Sequence, residues 1–239
     1  EPGPGYSLGA GFAALLSGVE TYYALDAEDC LSREKNREIF EQVLELFEQR
    51  SGVPGPEEFP CLRPCLKLYD FPHAILHEAL LQDSLSKGRI VSIRNEIDGA
   101  GSQGNGRISY IAPWHNTVRI PENSVDMIYS QAVMQEVKDL RFVYAAFYRW
   151  LKAGGWMSHT IDFQGYRTSK EWNGHWGYSD LVWKLIHGKR PYVINRQPHS
   201  AHAGLMRESG FRIIYDDTFK NNSGLQRRHL APGFRHLSD

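Results

Sequence analysis

The tightest constraint on this chain lies in its first twenty-six residues. A glycine turn, Gly3-Pro4-Gly5, is followed by room for one short helix and one strand, and the strand ends on Asp26. Glycine gives the backbone freedom for a tight turn, and the amides of such a turn point outward at the start of the next helix. Ala13, Ala14, Leu15 and Leu16, stopped by Gly18, read as that helix, and Thr21 to Leu25 read as the strand. This is half of a βαβ unit without its first strand. Glu1 stands where that strand would end, so the natural chain is expected to begin upstream and this sequence to be a trimmed segment.

Downstream the pattern changes twice. Ile39, Phe40, Val43, Leu44 and Phe47 recur at three- and four-residue steps, which predicts an amphipathic helix over 32–50. Pro54, Pro56, Pro60 and Pro64 interrupt it, Asp70 is expected to cap a helix running to about Leu85, and 89–97 is ambiguous between helix and strand. With the glycine loop at 99–106, residues 28–105 are expected to form a helical insertion that lids an acceptor pocket or makes a subunit contact. Beyond it come predicted strands at 107–111, 125–130, 156–162 and 211–216, with helices at 138–152, 178–187 and 199–209. Such alternation implies an α/β fold, a Rossmann-like, doubly wound, mostly parallel sheet in one domain over 1–239.

Composition narrows the function classes. Lys plus Arg number 27 against 28 Asp plus Glu, a net charge of −1, so no basic excess exists to release counterions from a nucleic acid, and none is expected as a partner. No apolar run approaches the roughly 20 residues of a membrane span. The three cysteines are an odd count and too few for a disulfide framework, which fits a reducing compartment and a cytoplasmic placement.

Asp26, at the end of the second strand, stands about where a carboxylate accepts hydrogen bonds from ribose hydroxyls, so the turn and the aspartate together point to a nucleoside-containing cofactor. The dinucleotide fingerprint would need its third glycine at Leu8, whereas it comes one residue later, at Gly9. Glu1 would bring negative charge toward a pyrophosphate but suits a ligand carrying an ammonium and a sulfonium. S-adenosylmethionine is thereby favoured over NAD.

At this point the chain resembles a class I S-adenosylmethionine-dependent methyltransferase. The resemblance rests on Glu1-Pro-Gly-Pro-Gly5 as motif I, Ala24-Leu-Asp26-Ala27 as the acidic motif, Ile120 to Ser130 leading into the fourth strand, and Trp150-Leu-Lys-Ala-Gly-Gly155 before the fifth. It implies that Glu1, Gly3 and Gly5 line the methionine part of the cofactor, that Asp26 binds the ribose and that Ala27 lies beside the adenine. Asn116 replaces an aspartate frequent near the adenine edge, and Ser130 and Gln131 are implied to face the methyl-donor pocket. Glu136 stands where the family often has a histidine. A looser match, through His159-Thr-Ile-Asp162 and Val193-Ile-Asn195-Arg196, resembles a bacterial subgroup associated with small molecules or surface glycans; it implies a small-molecule or glycan-type acceptor held by Asn195 and Arg196.

Methyl transfer is an in-line displacement, so a base is needed only if the acceptor must lose a proton. His159 is the leading candidate, with Asp162 as its orienter and Glu136 beside them as a third candidate. The alternatives are plainer: a packed structural histidine, a helix-capping glutamate, and a turn with a salt bridge at Asn195-Arg196. Trp172, Trp176, Tyr178 and Trp183 suit either stacking on a flat acceptor or core packing. Cys61, Cys65, His73 and His77 have ligand chemistry for zinc, but the loop between the pairs is short and no metal is expected. An NAD(P)-dependent oxidoreductase and a non-catalytic S-adenosylmethionine-binding module are the competing functions.

Overall fold

The computed structural model describes residues 1–60, 65–99, 106–114, 120–166, 168–190, 192–219 and 223–237. Two compact units divide the chain, Glu1–Arg119 and Ile120–Asp239.

In the first unit, helix α1 (Gly9–Leu16) leads into strand β1 (Tyr22–Leu25), and helices α2 (Arg33–Glu48), α3 (Glu78–Ser84) and α4 (Lys87–Gly99) precede strand β2 (Ile108–Ile111). β1 and β2 pair in parallel from Tyr22 opposite Ile108 to Leu25 opposite Ile111, as a crossover connection requires. Pro2 forms a parallel bridge to Leu25 on the other edge of β1, so Glu1–Gly3 run alongside that strand.

The residues expected to form an insertion supply much of this unit's core. Phe40 and Leu44 from α2 and Ile90, Ile93 and Ile97 from α4 pack with Leu8, Phe12, Leu15 and Leu16, and Phe12 meets Phe40 edge to face at 5.4 Å. Each such side chain stabilises the fold by about 1.5–3 kcal/mol on full burial. The ambiguous 89–97 stretch is helical because its three isoleucines follow a helical step. The helix expected from Asp70 starts only at Glu78: Ile75 and Leu76 N–H both donate to Pro72 O in a turn, and His77 Nδ1 then caps α3 by accepting from Leu80 N–H.

Two features hold α1. Gly11 lies against β1 so closely that an added Cβ would sit 2.1 Å from the Tyr22 ring, so the helix approaches the strand only because this residue is glycine. At the helix's far end the buried Arg89 guanidinium donates to Leu15 O and Val19 O and pairs with Glu20, which also pairs with Arg107.

The second unit holds strand β3 (Val125–Gln131), helix α5 (Leu140–Trp150), strand β4 (Leu151–Thr160), helix α6 (Asp180–His187) and helix α7 (His199–Glu208). β3 and β4 are parallel, joined by α5, with Ile128 opposite Met157 and Gln131 opposite Thr160. Asp139 caps α5 through Phe142 N–H, and the helix buries Leu140, Val143, Tyr144, Ala146, Phe147 and Trp150. β4 begins without a loop: Leu151 already pairs with Val125, and 152–155 then bulge out, with Gly154 at φ +81°. The strand expected at 211–216 is absent; these residues make no ladder, and Ile214 and Tyr215 are exposed. Strand pairing depends on distant partners that an alternating pattern does not specify. Both ladders are parallel and crossed by helices, the pairing of a Rossmann-like α/β fold. Among the described residues no helix is long and apolar enough to cross a membrane.

Candidate active site

The carboxyl ends of parallel strands are where open α/β folds bind ligands, and in each unit they gather part of the expected set. In the first unit, the expected motif residues converge. Gly3 and Gly5 both have positive φ, +68° and +64°, and Gly5 N–H donates to Asp26 Oδ2 at 2.9 Å. Asp26 Oδ1 accepts from Ala27 N–H at 2.8 Å, so each carboxylate oxygen takes one backbone hydrogen and keeps a lone pair for a ligand hydroxyl. A Cβ on Gly5 would meet no atom within 4 Å, which leaves bare backbone facing open space beside a carboxylate. The Glu1 carboxylate accepts from the Tyr22 hydroxyl. These residues suit the ribose and amino-acid portions of S-adenosylmethionine. Asn116 lies outside the described residues.

The turn is braced from positions that the sequence reading missed. Asn36, fully buried on α2, accepts from Leu8 N–H at 2.8 Å and donates to Tyr6 O and Ser32 O. Tyr110 on β2 accepts from Cys30 N–H and donates to Glu28 O, fixing the chain just past Asp26, and burial pushes its phenol up to about 12. A polar residue inside an amphipathic helix was the available signal for Asn36.

The second unit uses its expected residues differently. Ser130 is buried, and its Oγ bonds His159 Nδ1 at 2.8 Å, while the imidazole stacks on Phe147 and meets Tyr144 edge on. Burial first, then His202, lowers His159 to about 4, and its Nε2 is sealed without a partner. A neutral, enclosed imidazole is a poor general base, so the leading candidate of the sequence reading is displaced. Asp162 does not orient it. Its Oδ1 accepts from Gln164 N–H.

Asn195 and Arg196, expected to touch an acceptor, are spent on the scaffold. Asn195 donates to Met134 O and Val137 O, its N–H donates to Gln135 O, and its Oδ1 accepts from Gln197 N–H. It therefore clamps the short 3-10 turn Met134–Glu136. Arg196 donates to Tyr178 O, pairs with Asp180 and lies against the Trp183 and Phe234 rings. Trp176 is core, with its indole N–H on Arg196 O.

What remains past the tips of β3 and β4 is Gln131, which is exposed, the half-buried Glu136 and Asp162, and the buried Gln135. Burial raises Glu136 above the usual carboxylate range. Burial and then Asp162 push Tyr166 up to about 12. Tyr166 stands at φ +28°, a conformation uncommon for a tyrosine, in a loop where a Cβ on Gly165 would meet Ser169 Oγ at 2.3 Å. No local sequence pattern marked it.

The zinc candidates are dispersed in role: His77 caps α3, His73 packs on Phe71 at 4.9 Å, and Cys61 lies outside the described residues. Among the described residues no three His, Cys, Asp or Glu side chains group as metal ligands.

Searches of curated proteins and of solved structures return no significant match. Residues 91–158, which take in most of α4, then β2, β3, α5 and most of β4, match the family model of a methyltransferase domain. The match supports S-adenosylmethionine-dependent methyl transfer, with S-adenosyl-L-methionine as the methyl donor such domains bind, and the parallel ladders crossed by helices are consistent with a Rossmann-like α/β fold.

Proposed function

We propose that the protein binds S-adenosylmethionine through Glu1, Gly3, Gly5, Asp26 and Ala27 and methylates a small-molecule or glycan-type acceptor. The observation that carries the first half is the Asp26 carboxylate held by Gly5 N–H and Ala27 N–H beside bare backbone at Gly5. Bound S-adenosylmethionine supplies an electrophilic methyl on a positively charged sulfur. The free lone pairs of Asp26 accept from the ribose hydroxyls, and Glu1 sets negative charge toward the cationic end of the donor.

Glu136 is the base of this reading. It follows β3 directly, is half-buried, and its raised pKa makes it a better proton acceptor near neutrality than an ordinary glutamate. Asn195 is a positioning residue that holds the turn bearing Glu136. Transfer of labelled methyl from S-adenosylmethionine to an acceptor panel tests the reading. Glu136→Gln is expected to lower kcat about 10²-fold or more for an acceptor that must lose a proton, with unchanged affinity for S-adenosylhomocysteine. Turnover equal to wild type on every acceptor would remove Glu136 from the mechanism.

A further inference from the structure

β1 carries a tyrosine where a purely apolar ring would pack as well. Side chains two apart on a strand share a face, so Tyr22 and Ala24, 4% and 0% exposed, both point into the core formed with α1. The Glu1 nitrogen donates to Tyr23 O and the Glu1 carbonyl accepts from Leu25 N–H, the two bonds that set Glu1 beside Ala24 in a parallel pair. Neighbours across such a pair project to the same side, so Glu1 and Tyr22 share a face, and the small Ala24 leaves the ring room to reach the carboxylate. The Tyr22 hydroxyl donates to Glu1 Oε2. Its ring is fixed from the other side by α1, where it fills the space that a Cβ on Gly11 would take, 2.1 Å away. A phenolic hydroxyl is costly to bury unless it finds a partner, and a phenylalanine would fill the same volume without that cost. The partner here is the acid that directly precedes the glycine turn.

We infer that Tyr22 is a positioning residue for the methyl donor: its hydroxyl aims the Glu1 carboxylate at the ammonium of the donor's amino-acid end, and Gly11 makes room for the ring that does so. This rests on the reading that Glu1 faces the cationic end of S-adenosylmethionine. An unheld glutamate side chain loses rotamer freedom when it takes hold of a ligand. The bond from Tyr22 imposes that loss during folding, so the ammonium meets a carboxylate already oriented, and less of the binding energy is lost to ordering. The effect is confined to the amino-acid end of the donor, because the adenosine end is served by Asp26 and Ala27.

Titration of the full chain with S-adenosylhomocysteine and with methylthioadenosine separates this role from packing, since the second ligand keeps the nucleoside and thioether but has neither ammonium nor carboxylate. Tyr22→Phe keeps the ring and loses only the hydroxyl. It is expected to raise the Kd of S-adenosylhomocysteine about tenfold, the scale of one hydrogen bond to a charged group, and to leave that of methylthioadenosine within about twofold. Glu1→Gln should show the same selectivity. The double variant should bind S-adenosylhomocysteine within about twofold of Glu1→Gln alone, because both substitutions act through one carboxylate. Unchanged S-adenosylhomocysteine affinity in Tyr22→Phe, equal weakening of both ligands, or additive losses in the double variant overturns the positioning role. The wild-type titration keeps the two readings apart. Binding of S-adenosylhomocysteine that Tyr22→Phe leaves intact sinks the role of Tyr22 alone, whereas a wild-type chain that binds neither ligand sinks the donor site and this role with it.

Discussion

The two units spend their polar residues in opposite ways. At the end of β1 the side chain that matters, Asp26, is held by backbone N–H groups of Gly5 and Ala27, so the site is built largely of main chain. At the ends of β3 and β4, by contrast, Ser130, His159, Asn195 and Arg196 are consumed by one another and by carbonyls, and the groups left over sit on a 3-10 turn and a loop. A main-chain site needs particular residues at fixed spacing, because glycine takes the required positive φ at the least steric cost. A side-chain site needs only that distant segments deliver compatible groups.

Acid should break this contrast most visibly. His159, His175 and His202 are all in the second unit, and burial lowers each to about 4. Above pH 6.5 folded and unfolded chains hold these rings alike neutral. As pH falls from 6.5 toward 4 the unfolded chain takes up protons that the folded one refuses, so stability drops, by on the order of 2–3 kcal/mol per ring. Five of the six tryptophans, Trp150, Trp156, Trp172, Trp176 and Trp183, lie in that unit, so their fluorescence reports it. Loss of the signal below pH 6 ahead of amide exchange in α1 and β1 is expected; simultaneous loss would mean that the units do not differ in this respect.

Gly11→Val attacks the other unit. Its Cβ would overlap the Tyr22 ring, and overpacking of this kind costs about 3 kcal/mol. Chemical denaturation should show that loss together with weakened donor binding, and wild-type stability would show that α1 can lift from β1 freely. Asn36→Ala removes three hydrogen bonds of a buried side chain and should cost about 2 kcal/mol, with a several-fold rise in Kd for S-adenosylhomocysteine. A smaller effect, about 1 kcal/mol, is expected for Asn195→Ala. Its kinetic signature is a lower kcat with unchanged donor affinity, since the residue clamps only the turn that carries Glu136.

Legibility in the sequence followed the same division. The turn, β1 and Asp26 were readable because glycine and strand signals are local, and α5 was readable because its apolar residues keep a helical step. Residues 211–216 alternate like a strand yet make no ladder, since no strand among the described residues pairs with them. The 28–105 segment looked separable, but Phe40, Leu44, Ile93 and Ile97 complete the core beneath α1, a packing that hydrophobic period alone cannot assign to a partner. His159 was chosen for its ordinary pKa, which burial against Phe147 and Tyr144 overrides. Gln135 was invisible because a glutamine in a short turn acquires meaning only when the fold buries it.

The central claim is that Asp26 and the Gly3–Gly5 turn hold S-adenosylmethionine. Calorimetric titration with S-adenosylhomocysteine, with NAD and NADP in parallel, tests it most directly. Saturable binding of S-adenosylhomocysteine alone, weakened about a hundredfold or more in Asp26→Ala, is the expected result. Binding of a nicotinamide nucleotide instead, or binding of S-adenosylhomocysteine that Asp26→Ala leaves intact, would contradict it.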